Sequence, residues 1–301
     1  MRVAIIGNFD GVHGGHRALV QRAGELAGEG EDARVVAVTF DPHPAAVLRP
    51  EHAPARLTSV ERRGALLREA GVDEVVVLHF TSELASRSPE EFAQMLREDP
   101  SIAADAVIVG DNFRFGARAA GDTQMLTDLG RALGFDVQTI PMVAETVPGD
   151  SDGAWSSTRI RESIAEGDLR LASAMLGRPH RVEGVVVRGD QRGRELGYPT
   201  ANVDVAPDMA LPPDGVYAGW LIVGDERLPA AVSIGTNPQF AGQERRVEAY
   251  AIGRDDLDLY GAFVGVDLVE RLRGQQVFAA VADLVEQMAR DVAAAEAALR
   301  D

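Results

Sequence analysis

The chain has 301 residues, which at about 150 residues per domain points to two hydrophobic cores rather than one. Hydrophobic residues make up 46% and charged residues 26%, globular values that exclude a mainly disordered or collagenous chain. The formal charge of −17 sets the surface against nucleic acid and anionic lipid, all 30 basic residues are arginine, and cysteine is absent, so Walker A and Schiff-base lysines, disulfides and thiolate chemistry are excluded together.

Phosphate recognition is thereby left to arginine, backbone amides, histidine or metal. Met1 to Ile6 holds one arginine and a short apolar run that passes into Gly7 and Asn8, without the apolar core of a secretory signal. No stretch approaches the roughly 20 apolar residues of a membrane helix, and the expectation is a cytoplasmic protein with neither membrane nor nucleic-acid partners.

In chain order, short β-branched runs at Val3 to Ile6, Val35 to Phe40, Val75 to Phe80, Ala106 to Val109 and Val137 to Val143 alternate with helical patterns such as Arg17 to Ala27 and Asp122 to Leu133. This βαβ alternation predicts an α/β domain with a parallel sheet and helices on its faces. Ser88, Pro89 and Glu91 offer a capping box with proline at the first helical position, and Gly134 is a helix stop. Beyond Gly177-Arg178-Pro179, glycine-punctuated strand patterns follow without intervening helices, at Val182 to Arg188, Val216 to Val223, Leu228 to Ile234, Val247 to Ile252 and Phe263 to Glu270. They predict an antiparallel sheet or small barrel. Val281 to Leu299 then reads as one helix with Val281, Leu284, Val285 and Met288 on its apolar face, and the domain boundary is placed near 178, giving 1–178 and 179–301.

The first strand runs into Gly7-Asn8-Phe9-Asp10-Gly11-Val12-His13-Gly14-Gly15-His16 and a helix, where open α/β sheets bind phosphates. His13 and His16, three apart, are placed to donate to a phosphate and to stabilise transition-state charge, although an H-x-x-H pair alone serves equally to cap a turn. His43, in Asp41-Pro42-His43-Pro44, falls at the same sheet edge. Gly110-Asp111-Asn112-Phe113-Arg114-Phe115-Gly116 follows the fourth strand and reads either as a grip for a flat ring and a phosphate or as a turn whose phenylalanines join the core. Ser156-Ser157-Thr158-Arg159-Ile160-Arg161 brings hydroxyls, amides and arginines to one helix start that suits an anion.

These motifs resemble the nucleotidyltransferase half of bacterial FAD synthetases, with H-x-G-H at His13 and His16, G-x-x-F at Gly110 to Phe113, and S-S-T-x-x-R at Ser156 to Arg161. The resemblance implies a Rossmann-like domain that transfers AMP from ATP to FMN. It makes His13 and His16 catalytic, assigns ATP or phosphate to Gly7, Asn8, Phe9, Asp10, Ser157, Thr158 and Arg161, and gives Asn112 and Phe113 to flavin or other ligand.

In the second domain, Arg188 to Asn202 sets three glycines and three arginines in a loop ahead of Pro199-Thr200-Ala201-Asn202. Thr200 and Asn202 lie two apart, on one side of an extended chain, and offer the neutral oxygens that suit Mg²⁺, although a proline turn tied by an Asn side chain has the same residues. Glu248 sits in a strand pattern that leaves open whether it faces a pocket or solvent. With G-V-Y at Gly215 to Tyr217, V-E-A at Val247 to Ala249 and L-Y-G at Leu259 to Gly261, this half resembles the riboflavin kinase module of the same bifunctional family. The resemblance implies a small β-barrel with a C-terminal helix. It implies Thr200 and Asn202 as ligands of Mg²⁺-ATP, Glu248 as the base at the riboflavin 5′-hydroxyl, Gly189, Arg192 and Gly193 at phosphate, and Arg273 at ligand. Riboflavin, FMN, FAD and ATP are the implied partners, with the oligomeric state left open. Gln239 departs from the family pattern, which commonly has threonine there.

Overall fold

The computed structural model describes residues 1–141, 155–189, 196–236 and 245–300. The chain divides into two compact units, Met1–Pro54 with Ser59–Ser156, and Ala55–Thr58 with Ser157–Asp301.

In the first unit, β1 (Arg2–Ile6), α1 (Gly14–Ala27), β2 (Arg34–Asp41), α2 (Pro44–Leu48), α3 (Val60–Glu69), β3 (Glu74–His79), α4 (Ser82–Ser86), α5 (Pro89–Glu98), β4 (Ala106–Gly110), α6 (Thr123–Leu133) and β5 (Asp136–Ile140) follow one another. Every strand pairing is parallel, in the order β3-β2-β1-β4-β5. The central strands are apolar throughout because both faces are covered. Ala4, Ile6, Val36, Val38, Val107 and Val109 pack with Phe92, Leu96 and Leu126 of α5 and α6. Their alternates Val3, Ile5, Val35, Ala37, Ala106 and Ile108 pack with Val20, Ala23, Leu66 and Leu67 of α1 and α3. The expected capping box is present, the Ser88 side chain accepting from Glu91 N and Glu91 accepting from Ser88 N, with Pro89 opening α5. Gly134 closes α6, while the end of the expected strand to Val143 lies outside the described residues.

The second unit opens with α7 (Ser157–Glu166) and α8 (Leu169–Leu176). α8 is absent from the expected elements, yet it has a local signal, since the Asp168 side chain accepts from Leu171 N at 2.9 Å and Gly177 ends the helix. β6 (His180–Val187), β7 (Ala201–Val205), β8 (Gly215–Val223), β9 (Glu226–Thr236), β10 (Arg245–Ala251) and β11 (Phe263–Gly274) close an antiparallel barrel in the order β10-β7-β6-β11-β8-β9. Inward positions such as Val182, Val203, Leu221, Val232, Val247 and Val266 are buried while their neighbours face outward, the period of two that a barrel demands. β7 is the strand absent from the expected set, because its five residues Ala-Asn-Val-Asp-Val follow directly on the loop and proline turn that end at Thr200. The C-terminal helix α9 (Val281–Ala298) follows the barrel. Of its expected apolar face, Leu284, Val285 and Met288 are half-buried and lie in line with the buried Asp291 and Ala295, while Val281 at the helix start is 64% exposed. The helix docks through its later turns, where Asp291 finds a cationic partner in Arg273.

Candidate functional site

In the first unit, β2 and β3 lie on one side of β1 and β4 and β5 on the other, so the chain reverses direction across the sheet between β1 and β4. Ligands of open α/β sheets bind outside the carboxyl ends of the strands at that point. The turn after β1 carries Gly7 to His13, and the turn after β4 carries Asn112 and Phe113, so both predicted segments flank the crevice.

The β1–α1 turn holds three residues at positive φ, Phe9 at 48°, Gly11 at 83° and Val12 at 40°, with Val12 N donating to Phe9 O at 3.0 Å. A β-branched residue in that region is strained and persists only where its surroundings fix it. Here the Phe9 and Val12 side chains are buried in the core, at 1% and 0% exposure. The strained turn delivers His13 to the first position before α1, but its imidazole makes no capping hydrogen bond, which removes the cap reading of the pair. Instead the His13 and His16 rings stack, centroids 3.7 Å apart and tilted by 25°, and the Phe9 ring meets His16 edge to face, centroids 5.2 Å apart. His16 Nδ1 is shut off from solvent and has no hydrogen-bond partner among the described residues. Burial first, then the neighbouring His13 and Arg63, hold the His16 pKa well below the usual imidazole range, so the ring is neutral at neutral pH.

Gly14 is required by packing. A Cβ there would lie 1.9 Å from the Trp155 ring, which covers the first turn of α1. His43 caps α2 through Nδ1, which accepts from Ala45 N at 3.1 Å, and its Nε2 lies 3.1 Å from Asn8 Nδ2. Asp10 is 3% exposed. Arg63, on α3, is 3% exposed and donates from Nη1 to Asn8 O, Thr39 Oγ1 and Phe40 O at 3.1, 3.0 and 2.9 Å. Neither Arg63 nor Trp155 was singled out from sequence. An arginine at a core position of a helical pattern, and a tryptophan beside the S-S-T element, were the signals available. After β4, Asn112 is exposed and Phe113 stacks on the buried Phe115 at 5.6 Å.

Ser157, Thr158 and Arg161 form the first turns of α7 in the second unit. Arg161 Nε donates to Ala55 O at 2.6 Å within that unit, Ser157 is half-buried and Thr158 is exposed.

On the barrel, β7 pairs with β10 so that Asn202 stands opposite Glu248, and β10 pairs with β9 so that Glu248 stands opposite Ser233. Cross-strand partners share a face. The flanking Ala201, Val203, Val247 and Ala249 are buried, so Asn202 and Glu248 face outward together, with Glu248 half-buried and outside the lining of the cavity described next. Thr200, Asn202 and Pro199 line one cavity of about 270 Å³ with Tyr260 and the aspartate-rich segment before it. Gly189, just past β6, is packed against the Asn202 side chain, with a Cβ position 2.4 Å from its Oδ1. Arg273, on β11, has its guanidinium engaged, Nε and Nη2 bonding the two Asp291 carboxylate oxygens at 2.9 and 2.6 Å and Nη1 donating to Gly274 O. Arg192, Gly193 and Gln239 lie outside the described residues.

A family model described as FAD synthetase matches residues 1–152, and one described as riboflavin kinase matches residues 176–299. The bifunctional riboflavin kinase/FMN adenylyltransferase of Escherichia coli (strain K12) is 37% identical over 290 residues, covering 96% of this chain and 90% of that protein. The protein of the same description from Pseudomonas fluorescens is 38% identical over 297 residues, covering 98% and 92%. A crystal structure from Streptococcus pneumoniae, described as a macrolide-efflux protein, matches with a TM-score of 0.83 and 31% identity over 96% of this chain and 92% of that one. The efflux description stays with that protein; among the described residues here no helix is long and apolar enough to cross a membrane. With both family models in tandem and near full-length relatives above 30% identity, the chain belongs to the bifunctional riboflavin kinase/FMN adenylyltransferase family.

Proposed function

We propose that this chain phosphorylates riboflavin to FMN with ATP through residues 179–301, and transfers AMP from a second ATP to FMN through residues within 1–178, releasing pyrophosphate. The observation that carries the reading is that chemically distinct clusters occupy separate units: a stacked histidine pair at the switch point of a parallel sheet, and an Asn–Glu cross-strand pair on a barrel.

In the kinase reaction Glu248 accepts the proton of the riboflavin 5′-hydroxyl while that oxygen bonds the γ-phosphorus and the β–γ bridge breaks, leaving ADP. Thr200 Oγ1 and Asn202 Oδ1 are the residues that would hold Mg²⁺. Their neutral oxygens and the side-chain-free Gly189 beside the amide suit a cation that takes the rest of its shell from phosphates and water. When bound, Mg²⁺ supplies neutralisation of the phosphate charge. In the adenylyl reaction an oxygen of the FMN phosphate bonds the α-phosphorus and the bond to pyrophosphate breaks. His13 and the neutral His16 donate N–H bonds to the phosphate oxygens, and the turn amides from Gly7 to Asp10 support them. Asn112 and Phe113 contact the ligand beside β4, and Ser157, Thr158 and Arg161 are kept as phosphate-binding residues.

Incubation with riboflavin, ATP and Mg²⁺ followed by chromatography tests both halves. FMN appears first and FAD follows. No FMN refutes the kinase assignment, and FMN that never becomes FAD refutes the adenylyl assignment.

A further inference from the structure

We propose that Arg63 is a positioning residue of the adenylyl site, locking the turn that carries the two histidines onto the carboxyl ends of β1 and β2. This rests on the adenylyl reading given above.

A buried guanidinium is costly unless its hydrogen bonds are made, so its presence calls for a reason. Arg63 reaches from α3 across the sheet edge, and a single nitrogen, Nη1, serves acceptors on both strands' ends: the Asn8 carbonyl after β1, and the Thr39 hydroxyl and Phe40 carbonyl near the end of β2. Thr39 Oγ1 itself donates to Asn8 O at 3.0 Å, closing a triangle among arginine, threonine and turn backbone. Thr39 is 1% exposed, so this triangle is sealed from water. Asn8 opens the strained stretch that ends at Val12, and a strained turn keeps its geometry only if its ends are held. The positive end of the side chain also acts on His16, adding to burial and His13 in disfavouring the imidazolium. The other titratable groups at this edge are Asp10 in the turn, Asp41 at the end of β2 and His43 ahead of α2. Arg63 therefore does two things that any helix-surface arginine would not. It fixes where the histidines stand, and it keeps His16 a neutral N–H donor before an anionic nucleotide arrives.

The test uses the full chain and the variants Arg63→Met, Arg63→Lys and Thr39→Val. Urea unfolding of the first unit serves as the control for folding, and FMN formation from riboflavin as the control for the other unit. FAD formation from FMN is measured across pH, and His16 is titrated by NMR with labelled histidine. For Arg63→Met the expected result is a fall in FAD formation on the order of 10- to 100-fold, the scale of a misplaced transition-state donor. Removal of a like charge also moves the His16 titration, and the acid limb of the rate profile with it, to higher pH. Arg63→Lys keeps the charge but not the planar fork, so His16 titrates near its wild-type position while the rate remains low. Thr39→Val loses rate without moving the titration, and it carries the positioning claim if Arg63→Met does not fold. Wild-type FAD formation in both Arg63→Met and Thr39→Val overturns the proposal. So does a loss of rate in Arg63→Met with the His16 titration and pH profile unmoved, which would make Arg63 a structural brace only. If wild-type protein makes FMN but no FAD, the adenylyl reading itself fails, an outcome separate from these.

Discussion

Gly189→Ala is a substitution of one methyl group whose consequence can be worked from the barrel geometry. The new Cβ would sit 2.4 Å from Asn202 Oδ1 and 2.5 Å from Cγ and Nδ2, whereas ordinary contact begins at 3.4 Å, so the amide must retreat by about 1 Å. Asn202 is held on β7 by pairing with both β6 and β10, so the strand does not yield and the side chain rotates instead. A displacement of about 1 Å at a group that positions reacting phosphates costs on the order of 10²-fold in rate, roughly 2.7 kcal/mol in the barrier. The assay is riboflavin phosphorylation at varied Mg²⁺-ATP, with FAD formation from supplied FMN as the internal control. Turnover falls by about this factor, the Mg²⁺-ATP requirement rises, and the FMN reaction is unchanged. A double substitution decides the route of the effect. If Gly189 acts through Asn202, adding Gly189→Ala to Asn202→Ala has no further cost. Wild-type turnover in Gly189→Ala, or full additivity in the double variant, refutes the reasoning.

His16→Ala lowers FAD formation by about 10²- to 10³-fold and spares FMN formation, as chromatography of both products will show. Because the folded His16 pKa lies below its unfolded value of about 6.5, the unfolded chain binds more protons; His16 stabilises the fold fully above that pH and progressively less as pH falls below it. Urea unfolding of the first unit therefore weakens on the acid side in wild type and less so in His16→Gln. Glu248→Gln keeps shape but removes the base, so kinase turnover falls by about 10²- to 10⁴-fold while calorimetry still detects flavin binding. Arg273→Ala leaves the Asp291 carboxylate, 9% exposed, without its guanidinium and destabilises the second unit by about 3 to 5 kcal/mol in urea melts. An altered flavin KM with unchanged stability would instead assign Arg273 to the ligand.

What the sequence by itself determined is what is local or compositional. Strand runs, the Ser88–Glu91 capping box and the Gly134 stop were legible because a cap or a helical turn is settled within about four residues. The βαβ alternation made the first sheet parallel, the bare strand patterns made the second core an antiparallel sheet or barrel, and the order of H-x-G-H, S-S-T-x-x-R and P-T-A-N carried the resemblance to the family, which implied the barrel. β7 escaped because its five residues follow directly on a loop rich in glycine and arginine, and the stripe of α9 was legible from Leu284 to Met288 but not its buried anchor, since Asp291 is a charge that an apolar pattern does not count. The tertiary structure alone decided which distant residues meet. The register of β10 on β7 and β9 put Glu248 beside Asn202, the strand order brought the turns after β1 and β4 to one crevice, and the fold carried Arg63 to Asn8 across 55 positions of chain. Such pairings depend on how every buried surface in a unit is satisfied at once, a global condition that no window of sequence contains.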